Sequence, residues 1–568
     1  MSRDDDLPPD LREFISIKEH KARDVQARRK KAAPMPGPDD PRPVVQVEAG
    51  KIGTIVDAVE AALIARGGLY QNGNRIVAIG RVPLRTHDNL VVTASRIMEI
   101  GDEGLAEAIA AAAVMTRFDV RANALVAIDV PTRVVRTLRD RKGRYRFPVL
   151  AGIVNSPTLR ADGTILDQEG FDAATGLFVD FAGETFPKIR PKPERKHAEA
   201  ALAKLSGLIR HFPFEDEASR SVALSAVLTA CVRRGLDAAP LHGFSARAAG
   251  SGKSMLGDIV AVVATGQQAA VTSQTTNPEE FEKQVNSLLL EGAPLISIDN
   301  CSIPLEGNTI CSALTQPIVS IRPFGKLERV QVQSGAFWTA NGNNLVIAGD
   351  MNRRAIVAAL DAGMERPELR RFDFDPVARA KAERGTYLAA ALTILLAYRN
   401  SGVSGLSAPL GSFGEWSQLV RDALLWLGCA DPVITMERGR QQDPKRSELY
   451  DVLAHWKKVI GTKRTTVRKI VEMATKQSGF LPGRSEFDHP DFREALLAVA
   501  GRNGAINRKL LGMWLNTNEK TIAEPYWIVK DGTTDGSNAY RLVEREASKI
   551  VNQEVRKDMY DVASTLTF

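Results

Sequence analysis

"RAAGSGKSML", residues 247–256, decides how this chain is read. Gly250 and Gly252 flank Ser251, and Lys253-Ser254 follow at once. Glycine reaches the positive φ angles that turn consecutive backbone N–H groups inward around an anion. A helix starting at that point adds its positive end. The spacing therefore predicts a phosphate loop, with "MLGDIVAVVATG" as the helix behind it. In such a loop Gly250, Ser251, Gly252, Lys253 and Ser254 cradle a nucleotide. Lys253 reaches the β- and γ-phosphates, and the Ser254 hydroxyl holds Mg²⁺. Arg247 stands where the pattern G-x-x-x-x-G-K-[ST] opens with glycine. That position lies away from the tightest contact, so arginine is compatible with it if its φ is negative.

Downstream residues complete the site. "APLISIDN" (293–300) reads as a buried strand ending in Asp299, which would polarise water around Mg²⁺. Asn300 occupies a place where a glutamate could act as base; it can orient a water but cannot take its proton. The general base is left between Asp299 and a glutamate of "NPEEFEKQVNSLLLEG" such as Glu280. "AFWTANGNN" reads as a strand with an asparagine tip, and Asn341 or Asn344 is the candidate sensor of the γ-phosphate. "DMNRR" then offers Arg353 and Arg354, expected on the next helix, to stabilise phosphoryl charge across a subunit boundary.

At 568 residues the chain exceeds one core, and three or four domains is the rough expectation. Its 44% hydrophobic and 25% charged fractions are ordinary for globular proteins. No apolar run is long enough for a membrane helix, and the N-terminus lacks a signal-peptide pattern. Cys231, Cys301, Cys311 and Cys429 are scattered, which fits reduced thiols in a cytoplasm and argues against structural zinc. The net charge of +7 permits nucleic-acid binding without establishing it.

Seven segments follow from texture. Residues 1–45 read as a disordered charged tail, and 46–193 as an α+β accessory domain with helices in "IGTIVDAVEAALIARG" and "GLAEAIAAAAVM" and a hairpin about Asn72-Gly73. Asp119, Asp129 and Asp180 are isolated there, so the paired carboxylates of a two-metal polymerase site are absent. Residues 194–236 read as a helical collar, and 237–375 as an α/β core with a mainly parallel sheet. A helical lid or linker is expected over 376–440, a compact unit over 441–545 and a tail over 546–568.

The order "GSGKS", "LISIDN", a basic hairpin, "WTANGNN", then "GDMNRR" resembles superfamily 3-like AAA+ helicases. The nearest likeness is to the replicative, primase–helicase-type proteins of phages and mobile elements. It is good over about 200–375 and extends more loosely over 150–200 and 445–545; Arg247 and Asn300 depart from the pattern. The resemblance implies a multidomain P-loop AAA+ ATPase of α/β class, with ATP and Mg²⁺ as cofactors. It implies a homo-hexameric ring, hydrolysis between subunits, and translocation on single-stranded or forked DNA. The rival reading is an ATP-gated initiator or loader that binds DNA without processive unwinding, which Asn300 favours.

Two DNA elements follow. "IVSIRPFGKLERVQVQ" (318–333) reads as a hairpin with Gly325-Lys326 at its tip. By the resemblance it faces the ring's channel, with Lys326 gripping phosphates and Arg322 and Arg329 beside it. Residues 445–545 look like a winged helix. "INRKLLGMWLNTNEKTI" carries Arg508 and Lys509 on its recognition helix, and "YWIVKDGTTDGSNAYRLV" forms the wing. Such a unit binds DNA, here a replication-origin duplex, or serves as a protein-interaction module.

Overall fold

The computed structural model describes residues 37, 39–85, 91–323, 325, 329–481, 484–534 and 536–545. Lys326, the tail expected over 546–568 and most of that over 1–45 lie outside the described residues. The strand Val44–Gln46 takes in the last residues of the expected N-terminal tail. The chain forms two compact units.

The first unit comprises residues 1–301, 307–343 and 358–432. Near its start, helix Ile52–Arg66 buries Ile55, Val56, Val59 and Leu63, one stripe at helical spacing. That stripe packs with helices Asp102–Ala112 and Thr132–Arg139 in one apolar core. The Asn72-Gly73 turn joins antiparallel strands Leu69–Asn72 and Arg75–Arg85, with Gly73 at φ 58°. Helix Arg195–Leu208 and helix α1 (Glu217–Val232) lead toward the central sheet. The Asp216 side chain caps α1 by accepting from the Ser219 N–H.

The central sheet contains β1 (Leu241–Ala246), β2 (Ala270–Ser273), β3 (Leu295–Asp299), β4 (Phe337–Asn343) and β5 (Ala355–Leu360). Helix α2 (Lys253–Thr265) links β1 to β2, and helix α3 (Pro278–Leu290) links β2 to β3. The spatial order is β2-β3-β4-β1-β5. The pairs β2/β3, β3/β4 and β4/β1 are all parallel. Crossover helices cover both faces of a parallel sheet, which is why β1, β3 and β4 are buried along nearly their whole length. Because β4 lies between β1 and β3, the C-terminal tips of all three open on one edge. Between β3 and β4 the strands Ile318–Ile321 and Val330–Gln333 pair antiparallel, as the sequence predicts. Helix α4 (Arg384–Asn400) packs on Arg195–Leu208, α1 and α2.

The second unit comprises residues 302–306, 344–357 and 433 onward. Helices Pro444–Val459, Val467–Ala474, Pro490–Ala500 and Arg508–Thr517 share a core with the hairpin Tyr526–Thr534/Ser537–Glu544. Trp456, Leu496, Leu511, Leu515 and Ile528 are fully buried in it. The arginine segment departs from expectation. Arg353 and Arg354 do not sit on an α-helix but on a single 3-10 turn, Gly349–Arg353, with Arg354 as its cap. Gly349 at φ 60° opens the turn and β5 begins at Ala355, leaving no length for an α-helix.

Candidate nucleotide site

The loop after β1 folds as glycine spacing requires. Gly250 (φ 74°) and Gly252 (φ 95°) are both left-handed. A Cβ at Gly250 would lie 3.0 Å from the Glu368 backbone nitrogen, and one at Gly252 would lie 2.9 Å from the Phe212 ring. Both positions thus exclude a side chain by conformation and by space. Arg247 is not among the positive-φ residues, and its guanidinium faces Asp361 at 3.8 Å. Ser251 is buried, its hydroxyl donating to the Ala248 carbonyl at 2.8 Å. α2 starts at Lys253, placing the helix's positive end against the loop. Ser254 is exposed there.

Lys253 is the hub. Its Nζ donates to the Ala248 carbonyl at 3.1 Å and to Asn343 Oδ1 at 2.8 Å. Burial lowers its pKa, and the nearby Asp299 charge works against that shift. The loop after β1 and the tip of β4 are therefore linked through one ammonium group.

Asparagines organise the turn after β3. Asn300 is left-handed at φ 56°. Its N–H points at Asp299 Oδ1, 2.8 Å away, and at Asn341 Oδ1, 3.3 Å away. The Cys301 N–H donates to the Asn341 carbonyl at 2.9 Å. Gly342 makes this close approach feasible, since a Cβ there would lie 2.4 Å from the Cys301 carbonyl oxygen. Asn341 is buried and braces the Asp299-Asn300 turn. Asn344 is exposed at φ 51° and belongs to the second unit.

Two residues escaped the sequence reading. Asn343, not Asn341 or Asn344, touches Lys253. Side chains alternate along a strand, so 341 and 343 share a face and 344 does not; that parity was the available signal. Asp258 lies one turn past Ser254 on α2, at i+4 and hence on the same face. Burial and the neighbouring Asp299 charge raise its carboxyl pKa.

The other predicted residues are placed as follows. Asp350 pairs with both Arg353 (2.5 Å) and Arg354, and chiefly the Arg353 bond lowers its carboxyl pKa. Arg353 is 64% exposed and Arg354 only 13%, so Arg353 alone presents its guanidinium to solvent. Arg322 and Arg329 are exposed on the hairpin, and Arg329 is tied back to Ser320 through its Oγ (3.0 Å) and carbonyl (2.7 Å). Arg508 and Lys509 are exposed on the first turn of helix Arg508–Thr517, which the Asn507 side chain caps. Glu280 is exposed on α3. Among the described residues, no helix is long and apolar enough to cross a membrane.

No family model and no curated protein matches this chain. Solved structures do align with it at low similarity. "The A form apo structure of NrS-1 C terminal region" aligns at 11% identity and TM-score 0.33, over 78% of this chain and 99% of that one. "SCCmec type IV Cch - active helicase" aligns at 10% identity and TM-score 0.32, over 86% of this chain and 99% of that one. A JCV helicase aligns at 11% identity and TM-score 0.19, over 45% and 69%. Alignments at these scores carry no argument about this chain, and the functional reading rests on its own residues.

Proposed function

We propose that this chain is an ATP-dependent DNA helicase, translocating on single-stranded DNA in the replication of a phage or mobile element. The observation that carries the reading is Lys253. It follows a two-glycine, left-handed loop, starts α2, and is held 2.8 Å from the tip of β4 beside Asp299. That convergence suits a triphosphate. The loop N–H groups and the helix end meet the phosphate charge, and the Lys253 ammonium reaches the β- and γ-oxygens while keeping its bond to the Asn343 amide. Asn343 then follows the γ-phosphate through the same ammonium group. The Ser254 hydroxyl and Asp299 carboxylate are hard oxygen donors, the set that Mg²⁺ prefers, and they would hold it. When bound, that ion neutralises charge on the β- and γ-phosphates.

Asn300 orients the attacking water, and Asp299 or Asp258 accepts its proton. The raised pKa of Asp258 suits a base. Arg353 is offered to the γ-phosphate of a neighbouring copy in a homo-hexamer, and Arg354 stiffens the turn that bears it. The hairpin 318–333 grips single-stranded or forked DNA through Lys326, with Arg322 beside it. The C-terminal unit, read as a winged helix, meets origin duplex through Arg508 and Lys509.

The experiment is ATP hydrolysis and strand displacement on a fork, measured on the parent and on Lys253→Ala. Loss of both activities in the variant is expected. A variant that turns over ATP like the parent overturns the site. A second reading rests on Asn300, which places no carboxylate after Asp299: an ATP-gated initiator or loader. Hydrolysis stimulated by DNA, without displacement of any forked strand by the parent, would select it.

A further inference from the structure

One buried carboxylate outside the nucleotide site joins two elements of different expected roles. Asp443 is 8% exposed. Its Oδ1 accepts from the Lys445 N–H at 3.0 Å and so caps helix Pro444–Val459. Its Oδ2 accepts from Asn352 Nδ2 at 2.7 Å and from the Gly349 N–H at 3.3 Å. Gly349 and Asn352 belong to the 3-10 turn that carries Arg353 and Arg354. The same carboxylate thus holds the arginine turn and the first helix of the C-terminal bundle.

The link is stiff at both ends. Asn352 is buried, and its Oδ1 has no hydrogen-bond partner, so its amide is oriented through Nδ2 and Asp443. Helix Pro444–Val459 is rooted in the bundle by Leu449, Val452, Leu453 and Trp456, all buried. Two flanking contacts brace the junction: Lys445 pairs with Glu306, and Thr435 Oγ1 accepts from the Val357 N–H at 3.2 Å. The turn is thus tied to helix Pro444–Val459 and its flanks by several contacts. Residues 344–357, the arginine turn among them, group with the C-terminal helices.

We infer that Asp443 is a positioning residue for Arg353: it transmits the placement of the DNA-binding C-terminal bundle to the arginine offered to a neighbouring ATP. The inference rests on the proposed roles of Arg353 and the bundle. Its consequence is that duplex DNA engaged by the bundle changes the rate of hydrolysis without touching the phosphate loop. A buried, charge-assisted contact suits this task, because breaking it leaves a desolvated carboxylate and so favours one discrete arrangement.

The test compares the full-length parent with Asn352→Ala, which removes the shorter of the two bonds from the turn to Asp443 but keeps the helix cap, and with Asp443→Asn, which alters the link while keeping the side-chain volume. Arg353→Ala serves as the reference. ATP kcat and KM are measured with and without duplex oligonucleotide, together with duplex affinity and melting temperature. Both link variants should lose about tenfold in kcat. Their ATP KM and duplex affinity should stay within about twofold of the parent's, and DNA should no longer change their rate. A merely structural role would lower melting temperature and scatter all parameters together. Asn352→Ala and Asp443→Asn that fold, hydrolyse and respond to DNA like the parent would overturn the inference alone, provided Arg353→Ala is slow. Arg353→Ala at the parent's rate would refute the arginine assignment itself, and this inference with it.

Discussion

Replacing Asn343 by alanine tests the site at its least expected member. Asn343 Oδ1 accepts a 2.8 Å bond from Lys253 Nζ, and Lys253 keeps a second acceptor in the Ala248 carbonyl. A hydrogen bond to a charged group contributes about 1.5–3 kcal/mol. Asn343 is exposed, which favours the lower half of that range. If the amide follows the γ-phosphate during hydrolysis, about 1.5–2 kcal/mol of barrier is at stake, or roughly 10- to 30-fold in kcat. The assay is steady-state ATP hydrolysis, with Lys253→Ala as the floor and Asn344→Ala as the control. Asn343→Ala should fall into that window with KM for ATP little changed, while Asn344→Ala stays within about twofold of the parent. The opposite pattern, a parental Asn343→Ala beside a crippled Asn344→Ala, would refute the reasoning and put the sensor one residue later.

Gly342→Ala should destabilise the site by about 1–3 kcal/mol, because the new methyl meets the Cys301 carbonyl at 2.4 Å; a denaturant titration that matches the parent's would contradict this. His242 is buried, and burial lowers its pKa from 6.5 to about 3, so the folded chain resists a proton that the unfolded chain takes up. Its neutral form is compatible with full stability above 6.5, and stability falls by up to about 1.4 kcal/mol per pH unit as the pH drops from there toward 3. His242→Phe should flatten that slope in denaturation midpoints measured near neutral and mildly acidic pH; an equal fall in both proteins would exclude His242 as the cause. Lys326→Ala should weaken single-strand affinity and its salt dependence while sparing basal hydrolysis, and a fork unwound at the parent's rate would show that this hairpin is not the grip.

What the sequence disclosed was local. "GSGKS" reveals its loop because glycine spacing and the helix start lie within one turn. "LISID" reveals β3 because both faces of that strand are buried. The insertion of β4 between β1 and β3 is a long-range pairing with no periodicity to betray it. Asn343, the residue that meets Lys253, was overlooked because an asparagine run hides strand parity: 341 and 343 share a face, and the run ends at 344, where the chain turns to φ 51°. The arginine turn was misread because helix and 3-10 turn share the signals of "DMNRR". Asn300 shows the reverse error. In sequence it reads as a lost base, yet the backbone there is left-handed at φ 56°, a conformation costing most L-residues about 1–2 kcal/mol and asparagine less. That turn brings Cys301 beneath β4, where its N–H meets the Asn341 carbonyl. A glutamate at 300 would add a base and strain the turn that holds Asp299 in place. Asn300 is therefore explained by the backbone before any chemistry is asked of it, and in the proposed mechanism the proton goes to Asp299 at the tip of β3 or to Asp258 on α2.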